Sequence, residues 1–538
     1  MLKRWATTAA YVRTWSPQAV WRQVLAKLVR FFMQLTWLAR PRLIKNEAVD
    51  VVDESVETIE DDKADEKPPK DADEAARIGL ANTGNTCFVN AVLQCLVALP
   101  GFVARLDDEV VRVASTPSGK RGNHADQLEL ATALVDLLIG LLPASALSGF
   151  ADDSHTNGVE CSPVVADKAT QPTCASKKRK RDVSVTAIDR SRDAHAKRLR
   201  HFLQAASKCS DLVTPVASQQ EQQDAEEFLG FLLDSLHELL RASPESSTEV
   251  AKATLAELGR LVELENECLE YLKNCLVTEP ESYNRAVCYL GDIRQRRFLK
   301  DHNSFITKFF GGQIVRGSQC CRCANLTCLH QEFRMLSLSI KSNRNSQTLE
   351  ECLEAHRNLE DLTQDNRVYC DGHCQDKTNR RTQVLVQRAP EILVLQLQRF
   401  KQTRWRSRLE KVATPVKFPL GSEGLDLTDN MFMRDSAAPH LYELYAVCAH
   451  IGSVLDAGHY VAYTRQSVCA NSSEVQWLKF DDDVVTAVDE ATLRRETLST
   501  AYLLFYKRIE QVEKTSENSD GGVNAQGDSD TVLIDDRH

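Results

Sequence analysis

Residues 79–96, Gly-Leu-Ala-Asn-Thr-Gly-Asn-Thr-Cys-Phe-Val-Asn-Ala-Val-Leu-Gln-Cys-Leu, require a turn that runs straight into a largely buried helix. Asn82, Thr83, Gly84, Asn85 and Thr86 are turn and helix-cap residue types. Behind them Phe88, Val92, Leu93 and Leu96 recur at helical spacing, and Pro100 ends the run. Cys87 is therefore expected in the first turn of the helix. Free backbone N–H groups and the helix dipole favour an anion there, which suits a reactive thiolate. Asn82, five residues upstream, is placed to aim its amide at an oxyanion forming beside the sulfur. A structural cysteine capping a core helix fits the same stretch, so the rest of the chain has to decide.

Composition narrows the classes. At 538 residues the chain has room for one large domain with insertions, or for two or three ordinary ones. Apolar content of 43% and charged content of 26% are those of a soluble globular protein. A net charge of −10 argues against a nucleic-acid binder, and no specific nucleic-acid partner is expected. Seventeen cysteines in a chain this long, with no secretory signal evident, point to a reducing, intracellular compartment.

Residues 1–46 form a basic, aromatic segment that is free of acidic side chains up to position 46 and too short in its apolar part for the roughly 20-residue span of a bilayer. It fits an interfacial amphipathic helix or an organelle presequence, so a membrane surface or mitochondrion is one expected address. Residues 47–76 read as an acidic linker. Within it Val49-Asp50-Val51-Val52-Asp53, and near the C-terminus Val532-Leu533-Ile534-Asp535-Asp536, resemble SUMO-interacting strands. An insertion at about 145–200 contains Lys177-Lys178-Arg179-Lys180-Arg181, which resembles a nuclear localisation signal. A second insertion, at about 241–300, has leucines at helical spacing. Residues 509–538 read as a disordered acidic tail.

Gln222-Gln223-Asp224-Ala225-Glu226-Glu227-Phe228 opens another helix, where amides and carboxylates are placed either to bond an extended peptide or to cap the helix. From Phe309 the pattern becomes short strands. Cys320 and Cys323 form a C-x2-C pair, and 47 residues after Cys323 comes Cys370-Asp371-Gly372-His373-Cys374. Two such knuckles on facing hairpins would make a closed tetrahedral zinc site, with Cys374 or His373 as fourth ligand. The apolar run Ile392 to Leu397 reads as a central strand. Gly458-His459-Tyr460-Val461-Ala462-Tyr463 places His459 at the mouth of a strand, and Trp477-Leu478-Lys479-Phe480-Asp481-Asp482 follows.

Cysteine, then histidine, then aspartate is the order of papain-like thiol proteases, whose partners meet only in the fold. At this point the resemblance sharpens. Residues 79–96, 222–228, 458–463 and 477–482 resemble the Cys, Gln and His boxes of ubiquitin-specific proteases. Residues 393–400 and 501–506 are similar to that family's palm strands, and the cysteine knuckles to its fingers. The resemblance covers 77–508 and implies an α+β, papain-like fold with a helical thumb, a β-sheet palm and zinc-knuckle fingers. It implies hydrolysis of the isopeptide or peptide bond after the C-terminal glycine of ubiquitin, with no cofactor for catalysis and structural zinc at the fingertips. In that reading Cys87 is the nucleophile, His459 the acid and base in place of the competing His450, Asp481 the orienting carboxylate and Asn82 the oxyanion donor. Gln222, Asp224 and Tyr460 would grip the ubiquitin tail, and Asp482 would support the same region. The chain departs from the family at Glu226, where glutamine is usual.

Overall fold

The computed structural model describes residues 78–115, 124–142, 192–213, 222–241, 248–274, 280–342, 344–402, 409–421, 424–433, 440–455, 458–467 and 475–509. Residues 1–45, the acidic linker with its motif at 49–53, the basic run at 177–181 and the motif at 532–536 lie outside the described residues.

Helices fill the first half: α1 (Cys87–Val97), α2 (Phe102–Ser115), α3 (His124–Leu141), α4 (Arg192–Cys209), α5 (Ala225–Leu240), α6 (Thr248–Asn274), α7 (Pro280–His302) and α8 (Phe305–Phe310). Strands fill the second, beginning with β1 (Gly312–Cys320), β2 (Leu326–Phe333), β3 (Met335–Ser339) and β4 (Gln347–Thr348). After α9 (Leu349–Arg357) come β5 (Glu360–Leu362), β6 (Val368–Cys370), β7 (Asp376–Thr378), β8 (Arg380–Arg388), β9 (Ile392–Gln398), β10 (Phe400–Gln402), β11 (Leu409–Lys411), β12 (Val416–Lys417) and β13 (Leu425–Asp426). The last elements are β14 (Leu441–Ile451), β15 (His459–Ser467), β16 (Val475–Asp481), β17 (Val484–Val488), α10 (Glu490–Thr497) and β18 (Ala501–Arg508). No single helix among the described residues is long and apolar enough to cross a bilayer.

The large sheet runs β17-β16-β15-β14-β18-β9-β3, with β13 added to β14. Its central strands β9 and β18 are buried on both faces. Along β9, Ile392 and Val394 face the helical layer, while Leu393, Leu395 and Leu397 face a second core with Trp477 and Tyr506. That explains why β9 reads as a continuous apolar run rather than an alternating one. On the helical side α1 is covered all round, every one of its 11 residues being buried. Phe88 meets Phe228 of α5 edge to face, with ring centroids 5.6 Å apart.

A smaller sheet, β2-β1-β8-β5, with the β6–β7 hairpin, forms the fingers. The second insertion is a helical hairpin, α6 and α7, docked on it. Tyr283 and Val287 of α7 pack against Val315 of β1, and Arg294 of α7 bonds both Glu265 of α6 and His330 of β2. Residues 192–200, counted with the first insertion, are instead the start of α4. Leu199 and Phe202 are fully buried there, and the His195 ring bonds Gly140 O of α3 at 2.9 Å.

A cation lies at the centre of this scaffold. The Arg399 side chain is 0% exposed and donates to four backbone carbonyls, those of Ala501, Val412, Thr414 and Leu498, at 2.5–3.2 Å. Burial lowers its pKa to about 10, which still leaves it charged at neutral pH. The planar fork thereby joins the end of β9 to the start of β18 and the 412–414 segment. Arg399→Leu, which removes a donor from four carbonyls, is expected to cost about 3 kcal/mol or more, and Arg399→Lys most of that because three donors on one nitrogen cannot reproduce the fork. Urea unfolding of both variants, read as a lower midpoint at unchanged slope, checks this.

Candidate active site

The turn before α1 forms as its residues dictate. Gly84 and Asn85 take φ of 114° and 52°, values that glycine and asparagine tolerate best. Asn82 Oδ1 accepts from the backbone N–H groups of Gly84 and Thr86, both at 3.1 Å. This fixes the direction in which α1, and Cys87 at its first position, leaves the turn.

Two side chains that none of the sequence patterns singles out tie this turn to the far end of the chain. Asn90 Nδ2 donates to Leu80 O at 3.1 Å and to Asp482 Oδ1 at 2.8 Å. Gln94 Nε2 donates to Ile78 O at 2.9 Å. Both sit in the buried interior of α1. The signal for them was present: two amides four residues apart inside an otherwise apolar helix need buried partners.

The ring comes from the other side. Gly458 packs so tightly that a Cβ would lie 2.4 Å from His450 Nε2, which sets the path of the chain entering β15. His459 Nε2 lies 2.7 Å from Asp481 Oδ1 and 3.9 Å from Asp482 Oδ2. Nε2 is thus taken by Asp481, and the Cys87 side chain also acts on the imidazole as a hydrogen-bonding neighbour. The sulfur and then the Asp481 carboxylate push the ring's pKa up from 6.5 to about 9, against the opposing effect of burial. The two aspartates do not simply alternate across a strand. Asp481 ends β16, whereas Asp482 has φ of 54° in the following turn. Its carboxylate accepts from both Asn82 Nδ2 (2.9 Å) and Asn90 Nδ2 (2.8 Å).

Gln222 lies at the sulfur itself: its Nε2 is 2.8 Å from Cys87 Sγ. Asp224 caps α5 by accepting from Glu226 N at 2.8 Å, and both of its oxygens accept from the Tyr502 hydroxyl. Burial raises its pKa. The capping reading of this stretch is met by Asp224. Glu226 stands in the first turn of α5, where the helix dipole favours a carboxylate. Tyr460 is 1% exposed, with its hydroxyl accepting from Ala225 N at 3.5 Å. His450, the competing base, is fully buried between Phe400 and Tyr460, and neither ring nitrogen has a partner among the described residues. Burial pushes its pKa down to about 3, so it stays neutral.

At the fingertip the Cys320, Cys323, Cys370 and Cys374 sulfurs all lie within 4.8 Å of one another. Cys320 Sγ is 3.8 Å from Cys374 Sγ, and Cys323 Sγ is 3.6 Å from Cys370 Sγ. Four thiolates about 2.3 Å from one tetrahedral ion stand about 3.8 Å apart, so this donor set fits a metal of zinc's preference. His373, the alternative ligand, is exposed and outside the cluster.

With this geometry in hand, comparison with known proteins is decisive. The family model of ubiquitin carboxyl-terminal hydrolases matches residues 78–506. The chain belongs to that family. Among its relatives, ubiquitin carboxyl-terminal hydrolase 2 of Homo sapiens is 32% identical over 435 residues, covering 80% of this chain and 54% of the relative. Ubiquitin carboxyl-terminal hydrolase 21 of Bos taurus is 29% identical over 446 residues, covering 81% and 62%. This member of the family therefore spans less than two thirds of the length of these relatives. Its α+β, papain-like fold is also that of a solved structure of the SAGA DUB module Ubp8/Sgf11/Sus1/Sgf73 bound to monoubiquitin. That match covers 82% of this chain and 72% of the other at 20% identity, with a TM-score of 0.50.

Because the ring's pKa is raised, the charged imidazolium stabilises the folded site fully below pH 6.5, and that contribution is lost as the pH rises through about 9. NMR titration of the His459 ring carbon should give a midpoint near 9 in the native chain. Cys87→Ala removes the leading cause and should bring the midpoint down towards the ordinary value of about 6.5. An unchanged midpoint would show that the sulfur does not act on the ring.

Proposed function

We propose that the chain is a deubiquitinating thiol hydrolase that cleaves the isopeptide or peptide bond following the C-terminal glycine of ubiquitin. The observation that carries this reading is His459 held between the Cys87 sulfur and the Asp481 carboxylate in a chain of this family. The Cys87 thiolate attacks the carbonyl carbon of the terminal glycine, the C–S bond forms, and the carbonyl π pair moves onto oxygen. His459 gives its proton to the departing lysine nitrogen as the C–N bond breaks, leaving a thioester. Water then attacks, His459 takes its proton, and the thiolate leaves. Asp481 keeps the ring oriented through both halves of the cycle.

The remaining residues enter this proposal in supporting places. Asn82 was expected to face the oxyanion, but its amide nitrogen donates to Asp482 and its oxygen holds the turn. Its contribution here is to set the Asp482 turn against α1. Asp224 and Tyr460 serve the ubiquitin tail by building the wall beside it, since their polar atoms are tied to α5 and Tyr502. Cys320, Cys323, Cys370 and Cys374 hold structural Zn²⁺, which supplies rigidity at the fingertip and takes no part in the reaction.

Labelling with a ubiquitin vinyl-sulfone probe tests the central reading. The native chain should form a covalent adduct, Cys87→Ala none, and a SUMO vinyl-sulfone probe should react at least tenfold more slowly. Faster labelling by SUMO would overturn the choice of modifier. For the fingers, elemental analysis should find one zinc per chain. Cys374→Ser should lose it and unfold at lower temperature, while His373→Ala should retain it.

A further inference from the structure

We propose that His459, Asp481 and Asp482 also form an inhibitory binding site for a divalent cation of zinc's preference, separate from the four fingertip cysteines. This rests on the hydrolase reading above, because the ion regulates the same ring that serves the reaction.

Geometry comes first. A ring nitrogen and one oxygen from each of the two carboxylates all lie within 4.8 Å of one another. His459 Nε2 is 2.7 Å from Asp481 Oδ1 and 3.9 Å from Asp482 Oδ2. Donors about 2.1 Å from a tetrahedral zinc ion stand roughly 3.4 Å apart, a separation that these two distances bracket. Orienting an imidazole takes a single carboxylate, and adjacent residues on a strand point their side chains apart. Here the φ of 54° at Asp482 brings the second carboxylate round to the same nitrogen. Asp482 Oδ2 accepts from Asn82 Nδ2 at 2.9 Å and keeps a second lone pair for an ion.

Charge and access agree with this. The groups that act on the ring are the Cys87 sulfur and the two aspartates, none of them cationic. Among the described residues, no lysine or arginine pairs with either carboxylate. The His459 and Asp481 side chains are 31% and 43% exposed, so an ion reaches them from solvent without any opening of the fold.

The donor set selects the ion. One imidazole nitrogen with two carboxylate oxygens suits zinc and its transition-metal neighbours, whereas magnesium and calcium prefer oxygen-only shells. Three protein donors leave a fourth position to water. Cys87 is not part of the cluster. Binding takes the Nε2 lone pair, so the Nε2 proton now shared with Asp481 leaves to solvent and the carboxylate turns to the ion. One ring proton then remains, on Nδ1, and its loss would create an imidazolate. The ring therefore neither takes a proton from water nor passes one to the leaving amine. Turnover stops although the sulfur itself is untouched.

The test uses the full chain, native and His459→Ala, each equilibrated with zinc chloride and assayed by elemental analysis. The native chain should hold one zinc more than His459→Ala, a difference that the fingertip site, common to both, does not affect. Competition with a fluorescent zinc chelator should show that ion held about tenfold or more weakly in Asp481→Asn and in Asp482→Asn, and unchanged in Cys87→Ala. Turnover of ubiquitin carrying 7-amido-4-methylcoumarin at its C-terminus should fall about tenfold or more as this zinc binds, and recover when the chelator removes it. Equal zinc in the native chain and His459→Ala overturns the site. So does an ion lost in Cys87→Ala but kept in both aspartate variants, or turnover indifferent to the extra zinc. A native chain that binds the extra zinc yet turns over no substrate in its absence overturns the hydrolase reading and leaves the ion site standing.

Discussion

The site depends on one carboxylate that touches no substrate atom in the proposed reaction. Asp482 accepts from Asn82 and Asn90, and its backbone oxygen accepts from Leu80 N at 2.9 Å. Through these three bonds the turn after β16 is fastened to the segment that opens α1. The sulfur belongs to that helix and the ring's carboxylate partner to that strand, so their separation is set where the two elements are joined. A half-buried carboxylate with charge-assisted bonds to two side-chain amides, next to a main-chain bond from Leu80, is a stiff joint. The positive φ at Asp482 lets adjacent aspartates serve two directions, Asp481 towards the imidazole and Asp482 towards the helix.

Much of this was legible in the sequence, for physical reasons that differ by residue. The Cys87 helix showed itself through turn residues followed by apolar periodicity, and His459 through the glycine that admits its strand. β9 was plain because a strand covered on both faces has no polar alternation to hide it. The actual partners of Gln222, Asp224 and Tyr460 were not legible. They depend on where α5 docks against β15 and β18, which is a property of packing between elements more than 200 residues apart. Asn90 escaped for the same reason, its acceptor being 392 residues away. Arg399 reads as an ordinary charged strand end, and only the closing of strands around it shows that it is internal.

The fingertip illustrates a choice that spacing leaves open and backbone geometry makes. Cys374 and His373 were equally placed by count. Gln375 takes φ of 47°, and its side chain donates to the carbonyls of Asp371 and Gly372, both at 2.8 Å. That turn directs Cys374 inward and leaves His373 in solvent. The helical hairpin α6–α7 is the opposite case, a long addition that keeps its regularity by burying one face on the fingers. Its Arg294 bridges helix and sheet through Glu265 and His330, so the added piece is fastened by polar contacts as well as apolar ones.

Gly79 has a mechanical corollary. A methyl group there would lie 2.5 Å from Asp482 O and 2.7 Å from the Asp483 backbone, so the incoming polypeptide runs in direct main-chain contact with the turn after β16. Tension on the chain at residue 78 is therefore delivered to that turn as well as to α1, whose Gln94 holds the Ile78 carbonyl. The doorway of the domain and the hinge pin of its chemistry are one piece of backbone.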